Sequence, residues 1–217
     1  MKQVIFLSGL GADERLFSYI NLNDCHKQFI KWVKPLKNET LESYLLKLKG
    51  QMTIKEPPVL VGVSLGGIMA MELRELIPVE KTIIISSIKT RDEMPFLLNL
   101  ISLIKLNIIV PIWAIKMAGP VLKVILTGNT NKKSKQLFKQ MVDDSDDDFL
   151  KWAMQIVLDW QRRSYNPNKL VHIHGTKDIV FPFRNIQHCD YTIKGGAHDM
   201  IMSKPVEINE ILLKEIF

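Results

Sequence analysis

The segment Pro58 to Ala70, PVLVGVSLGGIMA, constrains the fold of this chain more than any other segment does. It begins as an almost continuous apolar run, which is typical of a strand buried on both faces of a parallel sheet. A turn of small residues and then a helical pattern follow at once. A helix that starts so soon after a strand needs glycine where the two backbones meet. Because Gly62, Gly66 and Gly67 provide that room, the segment predicts a strand, turn and helix unit.

Short β-branched runs alternate with longer helical patterns over much of the chain, which indicates a parallel sheet covered by helices on both faces. Helices are predicted for Thr40 to Lys49 and for Leu65 to Leu76. Six strands are predicted: Gln3 to Ser8, Phe29 to Val33, Pro58 to Val63, Lys81 to Ser86, Lys169 to His174 and Asp190 to Lys194. We therefore expect one domain, residues 1–217, built as a three-layer α/β/α sandwich with a mostly parallel sheet of about six strands.

The stretch of about residues 89–150 breaks this alternation because it contains no convincing strand. Its apolar tract, Met94 to Leu126, is interrupted by lysines and prolines, and no run approaches the ~18 apolar residues that a membrane span needs. We interpret the stretch as a helical lid insertion and expect no stable membrane insertion. Most of its apolar side chains are expected to form helical core. We hypothesise that the others line an apolar pocket. Docking on a membrane or a partner is the alternative.

An acidic patch, Asp143 to Asp148, lies near the end of this stretch. Either Ser145 or a neighbouring Asp is expected to cap a helix that begins near Asp147, where negative charge also favours the helix dipole. A calcium loop is the alternative, but that motif needs Gly at its sixth position and Glu at its twelfth. Counted from Asp143, those positions hold Asp148 and Met154, so the cap is favoured.

Charge and cysteine content exclude several classes of protein. The 29 basic and 23 acidic residues leave a net charge of +6. The basic residues are dispersed, whereas nucleic-acid binders more often cluster them, so no nucleic-acid partner is expected. Cys25 and Cys189 are too few for a disulfide scaffold. The apolar run near the N-terminus, Val4 to Leu7, is too short for a signal peptide, so we expect a cytoplasmic protein.

Ser64 stands at the centre of a GxSxG pattern, in the strand, turn and helix context where this pattern forms a nucleophile elbow. A hydroxyl is a poor nucleophile until a base removes its proton, so a histidine and a carboxylate should accompany it. The last two predicted strands are followed by HGTKDIVFP, which carries Asp178, and by GGAHDM, which carries His198. The sequence therefore predicts a catalytic triad of Ser64, Asp178 and His198.

Each of these three residues has an alternative reading. Ser64 could cap the helix that follows it, and His198 could be a surface histidine. Asp199, which adjoins the histidine, and Asp92, which follows a predicted strand, are rival acids. The loop HGTKD favours Asp178. The remaining histidines have no metal-ligand spacing, so we expect structural histidines, no metal and no cofactor; these are His26, His172, His174 and His188.

These motifs together resemble the α/β-hydrolase superfamily. The resemblance rests on GVSLGG, HGTKDIVFP and GGAHDM, and on SGLGADERLF after the first strand, where the family usually has His-Gly and this chain has Ser8-Gly9. It implies an oxyanion hole formed by the backbone N–H groups of Leu10 and Leu65. It also implies an α/β-hydrolase fold without the family's antiparallel N-terminal hairpin.

The same resemblance implies a serine hydrolase that cleaves a small-molecule carboxylic ester or thioester with an apolar acyl portion. Two other readings stay open, because a fold does not determine a reaction. The triad could act on amide or carbon–carbon bonds, or the chain could be a catalytically inactive binding protein.

Overall fold

The computed structural model describes residues 1–96, 98, 100 and 132–217. Six strands form one sheet in the order β2-β1-β3-β4-β5-β6, and all five neighbouring pairs are parallel. The strands are β1 (Lys2–Leu7), β2 (Cys25–Phe29), β3 (Val59–Val63), β4 (Lys81–Ile85), β5 (Leu170–Gly175) and β6 (Tyr191–Ile193). The helices are α1 (Leu41–Gln51), α2 (Leu65–Leu76), α3 (Lys132–Asp144), α4 (Asp147–Asp159), α5 (Met200–Ser203) and α6 (Pro205–Ile216).

Side chains on neighbouring strand positions point to opposite faces of the sheet, and each face has its own core. On one face, Phe6 of β1 lies in a hydrophobic cluster with Leu212 of α6. On the other face, Ile5 lies in a cluster with Tyr44 of α1 and Met69 of α2. The expected three-layer α/β/α sandwich with a six-stranded sheet is thus confirmed, and the described sheet is parallel throughout.

The prediction for the second strand was wrong. The sequence predicts it at Phe29 to Val33, but β2 covers Cys25–Phe29. This strand lies at the edge of the sheet, where outward side chains meet water, so the polar run CHKQF pairs with β1. The apolar residues after it, including Ile30 and Trp32, leave the sheet and join the core beside α1 and α2. Apolar content was therefore a poor guide to this edge strand.

The acidic patch caps a helix, as predicted. The Asp146 side chain accepts a hydrogen bond from the N–H of Phe149, 2.9 Å away, at the start of α4. Asp148 forms an ion pair with Lys34, with 2.6 Å between nitrogen and oxygen. Among residues 1–96, 98, 100 and 132–217, no group of three or more metal-ligating side chains could hold a cation.

The tract Met94 to Leu126 lies almost wholly outside the described residues, so the lid and its pocket stay predictions. The described part of the stretch between β4 and β5 is largely helical, comprising α3 and α4. Within the described part of the chain, no helix is both long and apolar enough to cross a membrane.

Tyr44 offers a test of how α1 is held against the segment that follows β2. The buried phenol donates a hydrogen bond to the carbonyl oxygen of Val33 (2.8 Å) and accepts one from its N–H (3.0 Å). Tyr44→Phe keeps the ring but leaves both Val33 groups without this partner. We expect the variant to lose about 1–3 kcal/mol of stability in urea unfolding. Tyr19→Phe, a change at a partly buried ring, is the control, and an equal loss in both variants would contradict the prediction.

Candidate active site

The three residues of the predicted triad meet at the carboxyl edge of the sheet. Ser64 directly follows β3, Asp178 lies on the loop after β5, and His198 lies on the loop after β6. Because these strands are parallel, their carboxyl ends open onto the same edge. The sheet therefore brings together side chains that are 134 and 20 residues apart in the chain.

Ser64 has a backbone conformation that L-residues rarely adopt. Its φ is 53° and its ψ is −116°, which places a non-glycine residue in a strained region. The Ser64 N–H donates to the carbonyl oxygen of Ile85, 3.0 Å away, which fixes the turn against β4. The serine side chain makes no capping hydrogen bond to α2. Instead, its Oγ lies 2.9 Å from Nε2 of His198, so the capping alternative does not describe this residue.

The glycines of the turn allow the strand and the helix to approach closely. A Cβ atom built on Gly62 would lie less than 3.0 Å from the backbone of Gly66, and one built on Gly66 would lie equally close to the backbone of Leu7. On Gly67, it would meet the Ser87 side chain at less than 3.0 Å. The role predicted for these three glycines therefore has a steric basis in the structure.

His198 connects the serine to the carboxylate. Its Nδ1 lies 2.9 Å from Oδ2 of Asp178. A carboxylate can only accept, so Nδ1 carries the proton, and the free lone pair of Nε2 accepts from the Ser64 hydroxyl. This is the arrangement in which a histidine can act as a general base.

Asp178 is buried, and both of its carboxylate oxygens accept hydrogen bonds. Its Oδ1 accepts hydrogen bonds from the N–H groups of Val180 and Phe181, both at 2.9 Å. Burial acts to raise the pKa of this carboxyl, but the favourable electrostatic interaction and hydrogen bond with the His198 imidazole, together with the Phe181 N–H, outweigh it. The net pKa of Asp178 therefore lies below its usual range. The carboxylate is kept ionised beside the imidazole.

Asp92 and Asp199, the two alternative carboxylates for the triad, make other contacts. Asp92 is exposed and its Oδ1 lies 2.6 Å from Nη1 of Arg163. Asp199 stands at the start of α5, where Ser203 contacts its Oδ1. The carboxylate that contacts His198 belongs to Asp178, as the loop motif indicated.

The loop after β1 lies against the serine. A Cβ atom built on Gly9 would be 3.5 Å from Cβ of Ser64. The Gly9 carbonyl oxygen accepts from Nε1 of Trp32 (3.3 Å) and from the N–H of Ala12 (3.2 Å). In a trans peptide the N–H points away from the carbonyl, so these bonds also orient the N–H of Leu10.

The second predicted oxyanion donor is the N–H of Leu65. It belongs to the first residue of α2, where a helix leaves its N–H groups without intrahelical acceptors. Within the described part of the chain, neither this N–H nor that of Leu10 has a hydrogen-bond acceptor. Both are therefore available to a developing negative charge.

Sequence reasoning missed two sets of contacts at this site. Trp32 was assigned to a strand, and no local signal links its indole to Gly9. His172 and His174, expected as structural histidines, are buried on β5, and the contact missed is the one to the acid loop: Nε2 of His174 lies 3.7 Å from Oδ2 of Asp178. Their spacing of two residues was the available signal, since it places both side chains on one face of a strand.

A substitution at Gly66 tests the steric requirement of the turn. Gly66→Ala would drive a methyl group into the backbone of Leu7, so we expect a stability loss of more than about 3 kcal/mol, beyond ordinary overpacking. The control is Gly50→Ala, because nothing lies within 4 Å of a Cβ built there in α1. That change should be neutral or stabilise by up to ~1 kcal/mol. Urea unfolding measures both, and similar effects would contradict the steric reading.

Acid should destabilise the fold through the two buried histidines of β5, His172 and His174. Burial, followed by the charge of Lys89, holds the pKa of His172 well below its usual value, and burial lowers the pKa of His174. Below about pH 6.5 the unfolded chain therefore binds protons at these residues more readily than the native state does. Stability should therefore fall from pH 7 to pH 5, by up to ~1.4 kcal/mol per pH unit for each histidine.

Urea unfolding at pH 7, 6 and 5 measures this dependence. His172→Gln should reduce the slope of stability against pH, because glutamine does not titrate. His26→Gln, a change at an exposed position on β2, should leave the slope unchanged. A slope unaffected by His172→Gln would show that other groups cause it.

Solved structures with the same architecture include several hydrolases. An esterase from Exiguobacterium antarcticum matches with a TM-score of 0.77 and 16% identity, covering 100% of this chain and 92% of that one. A hydrolase from Oleispira antarctica matches with a TM-score of 0.77 and 13% identity, covering 100% and 91%. BpoC from Mycobacterium tuberculosis, a candidate non-heme bromoperoxidase, matches with a TM-score of 0.73 and 16% identity, covering 99% and 91%.

No family model matches the sequence, and no curated protein matches it. At identities of 13–16%, the likeness to the solved structures concerns the fold. Together with the six-stranded parallel sheet and the strand, turn and helix unit around Ser64, it shows that this chain has the α/β-hydrolase fold.

Proposed function

We propose that this protein is a serine hydrolase that cleaves small-molecule carboxylic esters with an apolar acyl portion. One observation carries the proposal: Ser64, His198 and Asp178 form a continuous hydrogen-bonded chain, with 2.9 Å at each of its two contacts. A purely binding protein has no need for a strained serine, an oriented imidazole and a buried ionised carboxylate in this order. The esterases among the structural neighbours support the same choice of reaction.

The proposed reaction begins when Oγ of Ser64 attacks the ester carbonyl carbon while Nε2 of His198 takes the hydroxyl proton. The resulting imidazolium is stabilised by Asp178, which does not take up the proton itself. Collapse of the tetrahedral intermediate expels the alcohol, which receives the proton from His198. The acyl group is then bound to Ser64, and water, activated by His198 in the same way, releases the acid and restores the serine.

Two backbone N–H groups are the proposed oxyanion donors, those of Leu10 and Leu65. One such donor contributes on the order of 10² to 10³ in rate. The bond from Trp32 to Gly9 supports this role for Leu10, because it orients the intervening peptide before substrate binds. No step requires a metal or a cofactor.

The apolar acyl preference is supported by exposed apolar side chains next to Asp178 in the sequence. Ile179 lies in the same loop and Phe183 directly follows it, with exposed fractions of 57% and 37%. Exposed apolar side chains beside a reactive group favour an apolar ligand portion. The apolar tract Met94 to Leu126 supports the same preference by its sequence. The lid function of that tract, the single domain of residues 1–217 and the cytoplasmic location stay predictions.

Hydrolysis of p-nitrophenyl esters of graded chain length tests the proposal. Ser64→Ala should lower kcat by about 10⁶-fold, and Asp178→Asn by about 10⁴-fold because it disturbs the histidine tautomer. A fluorophosphonate should label the wild-type protein and not Ser64→Ala. Ser18→Ala, a change at an exposed serine, is the control and should leave both readouts unchanged.

Other outcomes would redirect the assignment. Turnover that requires Ser64 with thioesters or amides, but not with esters, would keep the triad and change the substrate class. A wild-type protein that neither turns over esters nor reacts with the fluorophosphonate would contradict the hydrolase and favour a binding protein. A chain-length optimum at the shortest esters would contradict the apolar acyl preference.

A further inference from the structure

A line of buried polar side chains runs behind Asp178, and the proposed reaction does not use it. It comprises Glu93 and Lys89 after β4, followed by His172 and His174 on β5. All four residues are at most 2% exposed. Burying so many polar and charged groups is expensive unless each of them is paired.

The Lys89 ammonium has three protons and three acceptors. Its Nζ lies 2.6 Å from Oε1 of Glu93, 2.9 Å from Nδ1 of His172 and 2.5 Å from the carbonyl oxygen of His188. The carboxylate of Glu93 also accepts from the N–H of Lys89 (2.7 Å) and from that of Gln187 (3.2 Å). The pair is thus satisfied in its charged form and held in a single orientation.

This lysine determines the protonation of both histidines. Two groups approach Nδ1 of His172: the Lys89 ammonium, which can only donate, at 2.9 Å, and the carbonyl oxygen of His188, which can only accept, at 3.3 Å. The shorter contact is the one to Lys89, so we assign Nδ1 as the acceptor and place the proton of His172 on Nε2. That Nε2 is 3.2 Å from Nδ1 of His174, which must therefore accept in turn. The proton of His174 lies on Nε2, 2.8 Å from the carbonyl oxygen of Phe181. Every bond in the line donates in the same direction, from Lys89 towards the acid loop.

The line ends on the loop that holds the carboxylate. Phe181 accepts from His174 through its carbonyl oxygen and donates through its N–H to Oδ1 of Asp178, 2.9 Å away. His174 also lies 3.7 Å from Oδ2 of Asp178, the oxygen that contacts His198. A single imidazole N–H thus faces both the loop backbone and the catalytic oxygen.

We propose that His174 is a positioning residue for this active site. The Lys89–Glu93 pair, acting through His172, holds His174 in its Nε2–H form, and His174 then fixes residues 178–181 so that Asp178 meets His198 correctly. Stability alone is a weak reason for such a line, because apolar residues of similar size often stabilise a core equally well. The proposal rests on the hydrolase function proposed above.

Two substitutions at His174 separate positioning from packing. His174→Leu fills similar space but has no N–H, whereas His174→Gln keeps an N–H donor for the Phe181 carbonyl. We expect His174→Leu to lower kcat for a p-nitrophenyl ester by about 10²-fold with KM unchanged, the size of effect that a misplaced group produces. His174→Gln should restore most of that loss. His26→Leu, an exposed histidine on β2, is the control and should retain wild-type kcat.

Proton NMR gives a readout that needs no turnover. The His198 Nδ1–H that bonds Asp178 should give a far-downfield resonance in the wild type and in His174→Gln, and this resonance should be lost in His174→Leu. A His174→Leu protein that folds normally and keeps both its kcat and this resonance would overturn the positioning role while the hydrolase stands. Loss of the resonance in a protein whose wild type hydrolyses no ester would overturn the hydrolase and leave the positioning role intact.

A second variant covers the case in which His174→Leu does not fold. Lys89→Met combined with Glu93→Gln removes both charges together, so neither is left buried alone, and it frees His172 to adopt either neutral form. We expect kcat to fall about tenfold with KM unchanged. Nitrogen-15 shifts should show the Nε2–H form of both histidines in the wild type. A wild-type Nδ1–H form, or an unchanged kcat in the double variant, would overturn the proposal.

Discussion

The close approach of β3 and α2 is the constraint on which the rest of the site depends. Only glycine fits at residues 62 and 66, because a Cβ atom at either position would run into neighbouring backbone. The same tight turn forces Ser64 to a φ of 53° and lifts its hydroxyl out of the sheet edge. The strain is local, and it is offset by a buried strand on one side and a packed helix on the other. A looser turn would relieve Ser64 but would not aim it at His198.

The second requirement is that the three side chains of the site converge, and the parallel sheet brings them together. The serine, the carboxylate and the histidine each follow a different strand, and parallel strands end on a common edge. Loops are more mobile than the strands they connect, so a side chain on such a loop needs hydrogen bonds from neighbouring residues to hold its position. For Asp178 this support comes from two backbone N–H groups and from His174. The carboxylate can then stay ionised although it is buried, and an ionised carboxylate is what the imidazole requires.

Esterases and a candidate bromoperoxidase share this architecture, so the fold by itself does not determine the reaction. Ester hydrolysis is proposed from side chains of this chain, above all from the two 2.9 Å contacts made by His198. The buried line from Lys89 to His174 fits the same proposal, because a hydrophobic core does not by itself require paired charges and imidazoles behind Asp178.

Local patterns in the sequence were sufficient for the elements whose signal is steric or strongly apolar. Strand β3, helix α2 and the three glycines follow from one segment, and the loops that carry Asp178 and His198 follow from short motifs after the last two strands. Strand β2 was misplaced, because at a sheet edge pairing and exposure outweigh apolar content. The bond from Trp32 to Gly9 and the line behind Asp178 were decided only by tertiary structure. The bonds Trp32–Gly9, Lys89–His172 and Gln187–Glu93 join residues 23, 83 and 94 positions apart. Hydrogen-bond partners at such separations depend on how strands and loops are stacked, which no local pattern records.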